Sequence, residues 1–195
     1  GAIRYLINRH KEFSIDTGNV FVAGESAGAF TALGVALLDT AAERHPSTFR
    51  TGNLPRPAAN TASCPHLSGK TIPDSITRPD LGDMEGDIEP SGIRYTVKAV
   101  GNMYGALISD WMRLHKTARP LPAIFSYHQP CDIVVPIDSN RIFWGISWCM
   151  TNGYNCYGIS NTPVAYGSRA FSNWNSTSNG CFTNRFNIKY SFIFI

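Results

Sequence analysis

Apolar positions at Ile3, Leu6, Ile7 and Phe13 fall at helical spacing, with Arg4, Arg9, Lys11 and Glu12 on the opposite, solvated side. Asp16-Thr17-Gly18-Asn19 interrupts that stripe, and beyond it the period changes. Val20 to Ala23 is a short continuous apolar run, the form taken by a fully buried strand, and Ala27 to Leu38 is an Ala-rich run long enough for a buried helix. Only Gly24-Glu25-Ser26 lies between them. Helix, turn, strand, helix is the rhythm of an α/β protein with a mostly parallel sheet.

Periodicity is lost around Asp39 to Arg44. From there to Gly92 the chain carries Pro46, Pro55, Pro57, Pro65, Pro73, Pro79 and Pro90 among Ser, Thr, Asn and Gly, with few apolar runs. A segment of that length without regular structure is expected to be functional, so residues 44–92 are read as a cap or lid inserted over the preceding turn. Asp80, Asp83, Glu85, Asp87 and Glu89 do not keep the register of an EF-hand loop and predict a solvated acidic loop. A strand is expected from Tyr95 to Gly101. A helix is expected over 103–114, with Met103, Leu107, Trp111 and Leu114 in the core. Arg119-Pro-Leu-Pro introduces a strand from Ala123 to His128, and the turn Gln129-Pro-Cys-Asp132 leads into Ile133 to Pro136. Helices are expected over 138–148 and 163–174, the second with Pro163 near its start, and a final strand over 186–195.

Composition narrows the class. With 195 residues, 43% hydrophobic and 16% charged, the chain is long enough for one domain with a core and is neither disordered nor a coiled coil. A net charge of +3 without a Lys/Arg cluster argues against a nucleic-acid surface, and no apolar run approaches the roughly 18 residues of a membrane span. The chain opens Gly-Ala-Ile-Arg-Tyr-Leu, with no initiator methionine and no signal peptide, and is expected to begin inside a helix. Cys64, Cys131, Cys149, Cys156 and Cys181 show no C-x-x-C spacing, which argues against zinc. Cys149 and Cys156 could close a small loop, with buried free thiols as the alternative. Asn175-Ser176-Thr177 matches a glycosylation acceptor. No acidic residue occurs from Ser139 to Ile195, a polar, uncharged composition expected of a secreted or extracellular protein.

The chemistry gathers at Gly24-Glu25-Ser26-Ala27-Gly28. A serine at the joint between a strand and a helix, flanked two residues away by glycines, is the pattern of a nucleophile elbow. The turn strains the serine backbone, the glycines are read as relieving crowding by their missing Cβ atoms, and the hydroxyl emerges at the carboxyl end of the sheet. The Ala27 amide, at the helix N-terminus, would face a developing oxyanion. Glu25 is expected to make a structural hydrogen bond or salt bridge. A serine nucleophile needs a base and a carboxylate that orients it, and the candidates weighed for that carboxylate are Asp132 and, as runner-up, Asp110.

The segment Ser126-Tyr-His-Gln-Pro-Cys-Asp132-Ile-Val-Val-Pro136 resembles the His-Gly-x-x-Asp-x-x-Val-Pro segment of esterases and depolymerases of the α/β-hydrolase fold, with Gln129 in place of the usual glycine. Taken with the Ser26 pentapeptide, it makes residues 1–138 similar to the carboxylesterase and polyhydroxyalkanoate-depolymerase-like branch of that superfamily. The resemblance implies an α/β-hydrolase-type sheet, Ser26 as nucleophile, Asp132 as triad acid, His128 as a structural histidine, hydrolysis of a small-molecule or polymeric carboxylic ester through an acyl-serine, and neither metal nor organic cofactor. It also implies a base after the acid and a glycine-rich oxyanion loop well before the serine. His10, His45, His66, His115 and His128 all precede Asp132, and only about twenty residues precede Ser26. No catalytic histidine is therefore identified. The expectation is a single partial domain over 1–195, lacking flanking strands and nearly inactive alone, with a degenerate pseudoenzyme as the alternative. His66 or His45 in the cap could approach Ser26, whereas His115 fits a helix C-terminus and His10 a solvated face. Trp144, Trp148, Tyr154, Tyr157, Tyr166 and Trp174 could line a cleft, with core packing as the default. The competing readings are a serine peptidase of the same fold and a non-catalytic binding protein built on it.

Overall fold

The computed structural model describes residues 1–38, 40–45, 51–55, 69, 75–80, 82–83, 86–89, 94–108, 121–145 and 163–170. In chain order the elements are α1 (Ala2–Asn8), β1 (Val20–Glu25), α2 (Ala27–Leu37), a 3-10 turn (Ala41–Glu43), β2 (Gly52–Pro55), β3 (Ser75–Arg78), β4 (Val97–Met103), β5 (Leu107–Ile108), β6 (Ala123–Tyr127), β7 (Ser139–Arg141) and β8 (Val164–Tyr166). A parallel sheet of order β1-β4-β6 with helices around it makes the protein α/β. Two smaller antiparallel sheets accompany it, β2-β3 and β5-β8-β7.

The apolar run before Ser26 becomes β1 because each of its residues has a partner on β4: Val22 aligns with Val100, Ala23 with Gly101, Gly24 with Asn102 and Glu25 with Met103. β6 continues the register, placing Ile124 beside Val100 and Tyr127 beside Met103. Alternation then sorts the faces. Val100 and Ile124 are buried with Ala32, Leu33, Ala36 and Leu37 of α2, together with Val97 and Leu107. At about 25 cal/mol per Å² of apolar surface removed from water, this cluster is the main source of stability for the sheet. The other face differs from the sequence expectation of a strand buried on both sides: Phe21 is 66% exposed and Phe125 65%.

Upstream, Asp16 closes the turn into β1 by accepting from the Gly18 amide (2.9 Å) and the Asn19 side chain (2.6 Å). The Asn19 bond first, then the Gly18 bond, holds the Asp16 carboxyl below its usual range. α1 is shorter than the Ile3 to Phe13 stripe predicts. It ends at Asn8, Ile7 is its buried residue, and Phe13 lies beyond it, 45% exposed. Its basic residues are not simply solvated. Arg4 donates to the carbonyls of Gly86, Ile88 and Glu89, and the Glu89 carboxylate takes Arg9 and Asn8. The acidic segment thus ends in a clasp on α1, where charge-assisted hydrogen bonds replace water.

In three stretches expected to be helical, described residues form strands. Met103 is the last residue of β4, paired between Glu25 and Tyr127, and Leu107 belongs to β5, so the strand ladder overrides an i, i+4 coincidence. Ser139–Arg141 and Val164–Tyr166 pair with each other as strands within the stretches 138–148 and 163–174 expected to be helical, while residues 168–170 of the second stretch are helical. Ser and Asn are indifferent helix formers, whereas Val and Tyr suit a strand that has a partner. Trp111, Leu114 and the final strand expected over 186–195 lie outside the described residues. No helix among the described residues is long and apolar enough to cross a membrane.

Candidate functional site

Ser26 occupies the single-residue turn between β1 and α2 with φ 52° and ψ −120°. A non-glycine residue there costs of order 1–3 kcal/mol and persists only when its surroundings fix it. They do so from both sides. The Ser26 amide donates to the Met103 carbonyl of β4 (2.9 Å), and its own carbonyl accepts from Ala29 (2.9 Å) and Phe30 (3.2 Å) in the first turn of α2. Gly24 is obligatory, since a Cβ on it would overlap the backbone of Gly28 and approach the Ala29 nitrogen to 2.6 Å. Gly28 is different: a Cβ there meets nothing within 4 Å. The reading that both glycines make room is thus corrected, because Gly24 vacates the space that the Gly28 backbone fills. Ala27 opens α2, where the first amides have no partner within the helix.

The next strand end repeats the strain. Tyr104, immediately after β4, has φ 43°, and its amide donates to the Tyr127 carbonyl of β6 (2.7 Å). Its hydroxyl is hydrogen-bonded to Glu25, which raises the phenol above its usual range. The hydrogen bond expected of Glu25 therefore has a named partner. The Tyr104 and Tyr127 rings meet edge to face with centroids 6.3 Å apart.

Asp132 follows β6 in a tight turn and is 7% exposed. Its Oδ1 accepts from the amides of Val134 (2.8 Å) and Val135 (2.9 Å), so the carboxylate builds the turn that holds it. Trp144 Nε1 donates to the Asp132 carbonyl (3.1 Å), and Gly145 and Phe143 donate to Ile133 and Val134. The segment after β8 locks the far side: the Gly167 amide donates to the Asp138 carbonyl (2.7 Å) and the Arg169 amide to the Ile137 carbonyl (2.9 Å). The Arg169 guanidinium grips the Asp138 carboxylate and holds it below its usual range.

His128 is buried beside this turn with both ring nitrogens engaged, Nδ1 with Ser168 Oγ (3.0 Å) and Nε2 with the Val135 carbonyl (3.0 Å). Its Nε2 lies 3.6 Å from Asp132 Oδ2. Asn102, fully buried at the end of β4, donates from Nδ2 to Ser126 (3.1 Å) and Ser168 (3.3 Å) and accepts the Gly105 amide on Oδ1 (2.9 Å). The sequence reading passed over Asn102, Ser168, Gly105 and Tyr104. Asn102 left a trace, an amide in a strand that Lys98 apart is otherwise apolar. Ser168, forty residues from His128, left none.

Parallel pairing thus brings Ser26, Tyr104 and the Asp132 turn to one rim, the carboxyl end of β1, β4 and β6. His10 caps the end of α1 on the Ile7 carbonyl (3.1 Å), and His45 follows the 3-10 turn. Asp110, His66, His115, Cys64, Cys149, Cys156, Cys181, Asn175, Trp148, Tyr154, Tyr157 and Trp174 lie outside the described residues. Cys131 is a free, exposed thiol, Trp144 is 38% exposed, and Tyr166 packs on the α2 cluster. Among the described residues no three His, Cys, Asp or Glu side chains are grouped to hold a metal ion. No protein-family model, curated protein or solved structure matches the chain.

Proposed function

We propose that the protein is a serine hydrolase of carboxylic esters with an α/β-hydrolase-type sheet, acting through an acyl-enzyme on Ser26. The observation that carries this reading is the backbone of Ser26, a non-glycine residue at φ 52° held between a strand and a helix N-terminus. Strain of this kind collects at functional sites, and at this joint it turns the hydroxyl out of the sheet. Attack on an ester carbonyl places negative charge on its oxygen, and the Ala27 amide at the start of α2 is the donor assigned to that oxyanion.

Asp132 is the acid in this reading. β1 and β6 are separated by two strand spacings, about 10 Å at roughly 4.8 Å each, a gap that two side chains and one intervening imidazole can span. Residue order agrees with it, since the acid follows the nucleophile. His128 is not the base, because both its nitrogens are committed to Ser168 and Val135. The antiparallel pair of β2 and β3 and the clasp of residues 86–89 on α1 support reading residues 44–92 as a cap with its own local structure.

The test is hydrolysis of p-nitrophenyl esters by the natural full-length protein. Ser26→Ala should lower kcat/KM by at least about a thousandfold while leaving the melting temperature unchanged or higher. Turnover that survives the substitution refutes the reading.

A further inference from the structure

Fixed donors and acceptors around His128 constrain its hydrogen-bond directions. The Gly105 amide can only donate, so the side-chain atom of Asn102 that it meets is the carbonyl oxygen, which fixes the amide and makes Nδ2 the donor toward Ser126 and Ser168. Ser168 Oγ accepts from Asn102 and keeps its own proton free for His128 Nδ1, 3.0 Å away. At the opposite side of the ring Nε2 faces the Val135 carbonyl at 3.0 Å, an acceptor that cannot donate, with Asp132 Oδ2 at 3.6 Å. An unprotonated Nε2 would set lone pairs against two oxygens in a site where His128 and Asp132 are each 7% exposed. The Nε2 end of the ring therefore requires a proton, and at the Nδ1 end the Ser168 hydroxyl, already accepting from Asn102, has a proton to donate.

We propose that Asn102 and Ser168 are positioning residues: they hold His128 as the neutral Nε2–H tautomer, so that its N–H ties down the Val135 carbonyl and faces the Asp132 carboxylate. That Asp132 needs such positioning rests on the reading of Asp132 as the triad acid. Val135 is bound twice in consequence, its amide to Asp132 Oδ1 and its carbonyl to His128, which closes the turn on both sides. Ser168 reaches the site because Gly167 can pass against the Pro136 carbonyl, where any Cβ would overlap, and because Gly167 and Arg169 bond the backbone of Asp138 and Ile137 on either side of it. The segment after β8 thus brings one hydroxyl to the one ring nitrogen that requires a donor.

The tautomer is read directly from long-range ¹H–¹⁵N correlations of the natural full-length protein labelled with ¹⁵N-histidine, His128 being assigned through its proximity to Val135. The expected pattern is a protonated Nε2 and a bare Nδ1. A protonated Nδ1, alone or in an imidazolium, overturns the proposal without any variant being made. Ser168→Ala should convert the pattern to a mixture of tautomers and lower kcat for p-nitrophenyl ester hydrolysis about tenfold with KM unchanged. Ser168→Thr, which keeps the hydroxyl, should restore both. An Ala variant that keeps the tautomer, or shifts it without lowering kcat, also overturns the positioning role. If the tautomer behaves as expected while Ser26→Ala leaves hydrolysis intact, the esterase reading fails and the assignment of the His128 proton stands.

Discussion

The α2-covered face of the parallel sheet and its carboxyl rim are built from the same three strands under opposite rules. On the covered face Leu33, Leu37, Val100, Leu107 and Ile124 form one buried hydrophobic cluster. At the rim Ser26 and Tyr104 sit at positive φ, and Asn102, His128 and Asp132 are buried with hydrogen bonds to serine hydroxyls and to backbone. Apolar burial is non-directional and tolerates modest change of shape, whereas a buried polar group without its partner costs its full desolvation. The covered face therefore supplies the stability that keeps the rim in conformations it would not adopt alone.

The sharpest break in that comparison is a pair of glycines four residues apart. Gly24→Ala should abolish folding or cost more than about 3 kcal/mol, since its methyl would overlap the backbone of Gly28. Gly28→Ala, with nothing within 4 Å, should be neutral or stabilising by up to about 1 kcal/mol from helix propensity. Urea unfolding of both variants checks this, and equal effects would mean that the two glycines share one role.

Next in size, Leu33→Ala on the covered face should cost about 3 kcal/mol in the same assay, the cavity and transfer loss of a fully buried leucine. At the rim, Asp132→Ala should cost about 2 kcal/mol by leaving two amides without an acceptor, while Asp132→Asn, which keeps an oxygen for Val134 and Val135, should stay close to wild type in stability. If Ala and Asn were equivalent, the carboxylate would not be what builds the turn.

The smallest effect concerns the clasp on α1. Glu89 is held below the usual carboxylate range, first by its hydrogen bond to Arg9 and then by Asn8. A depressed carboxylate contributes stability above its unfolded value and loses it as pH falls through the folded one. Glu89→Gln should therefore reduce the melting temperature slightly at neutral pH, with the difference from wild type vanishing below the carboxylate range. Asp138, held low by Arg169, adds to wild-type acid sensitivity with the same sign.

Legibility followed the nature of the forces. Val20 to Ala23 and Ala27 to Leu38 could be read as strand and helix because their apolar content exceeds what any other local structure would bury, and the bounds found, Val20–Glu25 and Ala27–Leu37, differ by a residue or two. The serine between glycines and the aspartate after β6 were legible as residue types at a spacing. Met103 with Leu107, and Val164 with Tyr166, were misread as helical because spacing cannot report that a pairing partner waits elsewhere in the chain.

By itself, then, the sequence determined a strand, a serine turn and a helix, since these depend on local backbone preference and on how much apolar surface a segment must hide. Tertiary structure alone decided that Gly24 rather than Gly28 is sterically required, that Glu25 binds Tyr104, and that Ser168 reaches His128 across forty residues. Those facts depend on which backbone passes within a few ångströms of which side chain. Close approach of that kind is a property of the assembled sheet and has no counterpart in the order of residues along the chain.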